Sequence, residues 1–144
     1  MALDAIQAVA NLLNTNWNLS PKPSIEDITI LDRGEGKRNR LLDQDVIRIF
    51  ETAHNEAQPE LLFDFANVHV NLTIDIRTVK GRSRLGQLRD EVRRIIHNAR
   101  KGDGDNFDRI IFKTRTDLSD RSKKLFRYTM QAETITFAVT LPDL

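Results

Sequence analysis

Residues 67–77 read NVHVNLTIDIR. Val68, Val70, Leu72, Ile74 and Ile76 fall on one parity, and His69, Asn71, Thr73, Asp75 and Arg77 on the other. Successive side chains of a strand point to opposite faces, so strict alternation over this length predicts an antiparallel strand with one face buried and one polar. The apolar face needs a cover, and the sequence supplies one directly downstream. Leu85, Leu88, Val92, Ile95, Ile96 and Ala99 recur at three- and four-residue spacing along residues 84–100. That spacing makes one apolar stripe on a helix, expected to lie over the sheet. Lys80-Gly81 predicts the turn between the two, Ser83 is placed to cap the helix, and GDGDN at 102–106 ends it.

Working outward, DVIRIFET at 45–52 and FDRIIFKT at 107–114 predict further strands, and 125–141 a long final one. Within the last, Phe126, Tyr128 and Met130 share one parity, while Ile135, Phe137, Val139 and Leu141 share the other. This change of phase predicts a bulge near Gln131–Glu133, since one extra residue swaps the faces. Leu3, Ile6, Val9, Ala10 and Leu13 mark a short N-terminal amphipathic helix. Between it and the first secure strand runs a long loop or arm, 15–44, with Pro21, Pro23, Gly34 and Gly36 and a possible short strand at Ile28–Leu31. The expectation is one α+β domain spanning 1–144: an antiparallel sheet packed on one side by helices, with a long N-terminal arm.

Composition narrows the chemistry. The 144 residues include 22 basic and 21 acidic side chains, for a net charge of +1, which gives no global pull towards nucleic acid or membrane. With no cysteine there are no disulfides, zinc thiolates or cysteine nucleophiles. His54, His69 and His97 have no metal-motif spacing. No apolar run reaches the ~20 residues a transmembrane helix needs. The N-terminus reads as a helix with an early Asp4 rather than a signal peptide, which predicts assembly in the cytoplasm.

Three constellations carry candidate function. Arg82, Arg84, Arg89, Arg93, Arg94, Arg100 and Lys101 crowd the second helix, with Asp90 and Glu91 in partial offset. They predict either a solvated or protein-binding face, or an anion-binding surface for nucleic acid. Asp64, Asp75 and Arg77 form D-x10-D-x-R, the spacing of a metal-dependent nuclease core, but with an arginine where a lysine would assist water. The glycines of Gly34-Glu35-Gly36 lack the strand-to-helix context of a phosphate loop. The leading expectation is therefore no enzyme and no cofactor.

The stretch from NVHVNLTIDIRT through SRLGQLRDEVRRIIHNAR to the final strands resembles the tail-terminator or tail-completion proteins of tailed viruses. The carrying features are the alternating strand Val68–Thr78, the helix pattern of Arg84–Ile96, and the segment Asp117-Leu118-Ser119-Asp120 in the loop between the last strands. The resemblance covers 45–141, and the 15–44 loop departs from it. It implies a non-enzymatic virion protein that forms a hexameric ring at the head-proximal end of the tail. Such a ring terminates the tail tube, meets the neck or connector, and surrounds passing DNA without sequence-specific contact. The residues expected at subunit contacts are Arg82, Arg84, Arg89, Arg93 and Lys101 on or beside the helix, Asp117, Asp120 and Arg121 in the loop, and Pro21, Pro23, Arg38 and Arg40 in the arm. The competing expectations are a nucleic-acid-binding module using the arginine-rich helix and, behind it, the nuclease.

Overall fold

Apolar residues at period two have to meet apolar residues at period 3.6, and the molecule solves this in two layers. The computed structural model describes residues 5–27, 45–57, 65–102, 104, 106–119 and 125–140. Helix α1 (Ala5–Asn16) leads to β1 (Ser24–Asp27), β2 (Val46–Ala57) and β3 (Phe65–Thr78). Helix α2 (Arg82–Asn98) then precedes β4 (Arg109–Asp117) and β5 (Phe126–Thr140). The five strands form one sheet in the order β1-β2-β3-β5-β4. All neighbours are antiparallel except β1 and β2, which run parallel. The fold is α+β with a mixed, mostly antiparallel sheet, and the parallel pair is a departure from the all-antiparallel expectation. A parallel pair needs a connection of a dozen or more residues, and the chain between Asp27 and Val46 is long enough.

Register explains the core. Ile47 and Ile49 of β2 face Ile76 and Ile74 of β3, and on the other side Met130 and Ala132 of β5 face Ile74 and Leu72. These side chains are fully buried with Val9 and Leu13 of α1 and Leu88, Val92, Ile95 and Ile96 of α2 in one cluster. Both helices therefore lie on the same side of the sheet, α1 towards β1 and β2, and α2 towards β3, β5 and β4. The pairing of the 68–76 stripe with the 84–100 stripe is as the two periods require.

Three local expectations change. Ser83 does not cap α2: the helix starts at Arg82 with Gly81 at the N-cap and no side-chain cap. Gly81 has φ 111°, a left-handed conformation that glycine adopts without a Cβ clash, and its carbonyl accepts the Leu85 N–H at 3.1 Å. The β4–β5 pair is irregular near the expected Gln131–Glu133, where Phe112 faces Ala132 and Thr114 faces Gln131, but the extra residue is on β4 and not on β5. From Phe126 to Thr136, β5 pairs residue for residue with β3. Two further irregularities occur, one extra residue on β2 between Glu51 and Ala53 and one on β5 between Thr136 and Val139. The phase change thus begins with Ile135, which stands opposite His69 on the polar face of a stretch that pairs without interruption. Finally, the first part of the 15–44 arm packs on the body. The Trp17 indole donates to Leu19 O at 2.8 Å, Trp17 and Leu19 lie against the core, and Pro23 is buried. The possible strand Ile28–Leu31 lies outside the described residues.

Candidate interaction surface

The second face of the sheet, which neither described helix covers, is built from the polar parity of the strands. Directly opposed cross-strand pairs share a face, and opposite charges there attract. Arg48 of β2 stands between Glu26 of β1 and Asp75 of β3. Arg48 Nε lies 3.8 Å from Glu26 Oε2. Asp75 is 1% exposed, and both its oxygens are taken: Arg77 Nε donates to Oδ2 at 2.8 Å and Arg127 Nε to Oδ1 at 2.9 Å. The middle of the face is neutral, where the Thr114 hydroxyl donates to Gln131 Oε1 at 3.0 Å. At the far end Glu133 receives Lys113 Nζ at 2.8 Å and lies 3.2 Å from His69 Nδ1. Beside this cluster, Ile135 pairs across the sheet with His69 and Arg109, and Ile111 pairs with Glu133. Ile111 is 44% exposed and Phe137 45%. Neither was singled out by charge or motif; the change of phase in 125–141 was the trace of Phe137 in the sequence, and Ile111 left none.

The arginines of α2 do not form one surface. Arg84 turns inward, 8% exposed, donating Nε to Asp45 Oδ2 at 2.7 Å and Nη2 to Pro21 O at 2.6 Å. As a contact residue it is corrected to an internal strut, and Pro21 and Pro23 belong to the segment it holds. Asp45 is itself buried and also accepts the Thr78 hydroxyl at 2.6 Å. Arg94 pairs with Glu91 at 2.7 Å and donates to Asn16 O, the end of α1, while Glu91 accepts the Asn18 N–H. Arg82 meets Asp117 at 3.0 Å, so two of the expected contact residues are partners of each other. Arg89 bonds Asp90 and sits 5.6 Å from the centre of the Tyr128 ring. Arg93 and Lys101 are exposed and have no charged partner among the described residues. Asp120, Arg121, Arg38 and Arg40 lie outside the described residues. In the Asp117-Leu118-Ser119 segment, Asp117 Oδ1 accepts the Ser119 N–H at 2.9 Å and Ser119 Oγ accepts the Arg127 N–H at 3.1 Å. This ties the end of β4 to the start of β5 across the intervening loop.

Asp75 is buried, and two guanidinium groups already neutralise its carboxylate and occupy the space around both oxygens, so it fits the nuclease pattern poorly. Asp64 lies outside the described residues. Among the described residues no group of three or more histidine, aspartate or glutamate side chains is placed to hold a metal. No described helix is long and apolar enough to cross a membrane. No protein-family model matches the chain, and no curated protein matches it significantly.

Three carboxylates have lowered pKa values. The Lys113 bond holds Glu133 below the ordinary 4.5 against the opposing effect of burial, with His69 assisting. The Arg94 bond does the same for Glu91, again against burial. The Ser119 hydrogen bonds, then Arg82, lower Asp117 from 3.8. A carboxylate whose pKa is lower folded than unfolded stabilises the fold at pH above its unfolded value, and that stability is lost as pH falls through the folded value. Urea midpoints are therefore expected to be flat at neutral pH and to fall from about pH 4.5 downward, with Glu133→Gln flattening part of that slope. An unchanged slope in the Glu133→Gln variant would remove the Lys113–Glu133 pair from this account.

Proposed function

We propose that this chain is a structural virion subunit that closes into a six-membered ring at the head-proximal end of a viral tail, where it terminates the tube and meets the neck or connector. The observation that carries an assembly role is a pair of apolar side chains left nearly half exposed towards one end of the sheet: Ile111, opposite Glu133 with its Lys113 ion pair, and Phe137, whose N–H is held by Asp108. Exposed apolar residues grouped on one face and rimmed by charge mark an interaction surface. The tail assignment is supported by the resemblance of Val68–Thr78, Arg84–Ile96 and Asp117–Asp120 to tail-terminator proteins. A head-to-tail contact that closes on itself gives a ring. The nucleic-acid reading is weaker because most arginines of α2 are committed to carboxylates and carbonyls within the fold. The test is a reconstruction of the assembled particle. Six copies of this 16.6 kDa chain are expected as a ring at one end of the tube; finding the chain as scattered monomers, or missing from the particle, overturns the proposal.

A further inference from the structure

β4 is an edge strand with unusual charge around it. Its inner side pairs with β5 along its length, and no described strand pairs with its outer side. At its start Ile110 N–H donates to Arg100 O, and beyond that point the outer edge meets no described backbone partner. Nearly every β4 residue is exposed. On one side of the edge, between α2 and β4, lies a groove of about 360 Å³ lined by Asp90, Arg93, Arg94, His97 and Phe112. On the other side lie Arg109 and the exposed Ile111.

Among the described residues, the charges near this edge do not balance. The acids are already engaged: Asp90 with Arg89, Asp117 with Arg82 and the Ser119 N–H, and Asp108 with the Phe137 N–H at 2.7 Å. The cations Arg93, Arg109 and Arg115 are exposed and have no partner among the described residues. An unpaired row of backbone donors and acceptors is a template for another strand. A strand laid along it would place alternate side chains in the α2 groove and beside Ile111, and would meet an unpartnered arginine on either side.

We infer that the outer edge of β4, from Phe112 to Asp117, is a docking site for an extended acidic segment of another protein, which binds by adding a strand to the sheet. Main-chain hydrogen bonds supply affinity, and the three arginines supply selection for carboxylates. A second β4 is a poor occupant, because it would bring the same surplus of cations to the edge. A nucleic acid is a poor one because it cannot continue a β-ladder, and the groove offers it a single aromatic ring, Phe112, already half-buried. The inference does not depend on ring closure, and its test uses the isolated chain.

The probe is a short fluorescent peptide alternating glutamate with valine, titrated with the full-length chain and read by anisotropy. Binding is expected, weakening as salt screens the arginines. A peptide of the same side chains with alternate backbone nitrogens methylated is expected not to bind, since it cannot complete the ladder. Arg115→Glu and Arg93→Glu are each expected to weaken binding about tenfold while leaving the circular dichroism spectrum unchanged. The inference is overturned if the acidic peptide does not bind, if the methylated peptide binds equally, or if oligothymidylate binds more tightly than the peptide. It is equally overturned if the chain sediments as a dimer that Arg115→Glu dissociates, since the edge would then belong to a second copy.

Discussion

Ile74→Asp is expected to unfold the protein. Ile74 is fully buried at the centre of β3, with Ile49 of β2 on one side and Met130 of β5 on the other, beneath the helices. Removing the side chain alone costs about 2–5 kcal/mol, through lost transfer energy and the cavity left behind. The carboxylate adds several kcal/mol more, because no cation lies among the apolar side chains of the core cluster and burying a charge without a partner is strongly unfavourable. Domains of this kind are held by only about 5–15 kcal/mol, so the sum reaches the whole stability. Near-ultraviolet circular dichroism and urea titration read the result. Ile74→Val, which keeps the shape and costs about 0.5–1.5 kcal/mol, is the folded control. A soluble Ile74→Asp variant with native near-ultraviolet signal would mean that this face is not buried as described.

Asp45→Ala is expected to cost about 3–5 kcal/mol, the second largest effect. The substitution leaves Arg84 buried without its carboxylate and leaves the Thr78 hydroxyl without its acceptor. It also loosens the junction where the Ser20–Pro21 carbonyls, the start of β2, the end of β3 and the first turn of α2 converge. The expectation is specific to burial. Arg93→Ala, on the exposed side of the same helix, is expected to change stability by no more than about 0.5 kcal/mol. Replacing both members, Asp45→Leu with Arg84→Met, is expected to recover part of the loss, because a buried pair of hydrocarbon side chains carries no desolvation cost. The check is a set of urea midpoints for the three variants beside the wild type. Equal midpoints for Asp45→Ala and Arg93→Ala would deny the buried pair its structural role.

These two positions also show where the sequence was legible. Ile74 announced itself: the alternation through 67–77 and the stripe through 84–100 are the direct imprint of one-sided burial on period two and period 3.6. From those patterns follow the class of the fold, the main strand, the covering helix and most of the core. Arg84 did not announce itself. In sequence it is one of seven basic residues within 82–101, and nothing local separates it from Arg93. Its partner Asp45 lies 39 residues away, as Asp117 lies 35 residues from Arg82. Charge leaves no periodic trace, so which arginine is a strut and which is free was settled only when distant strands and loops came together. The same holds for the parallel β1–β2 pair, for the strand that carries the extra residue opposite Gln131 and Ala132, and for the exposed Ile111 and Phe137. A strand's pattern records which residues share a face, and the tertiary structure alone decides what covers that face and which strand is left at the edge.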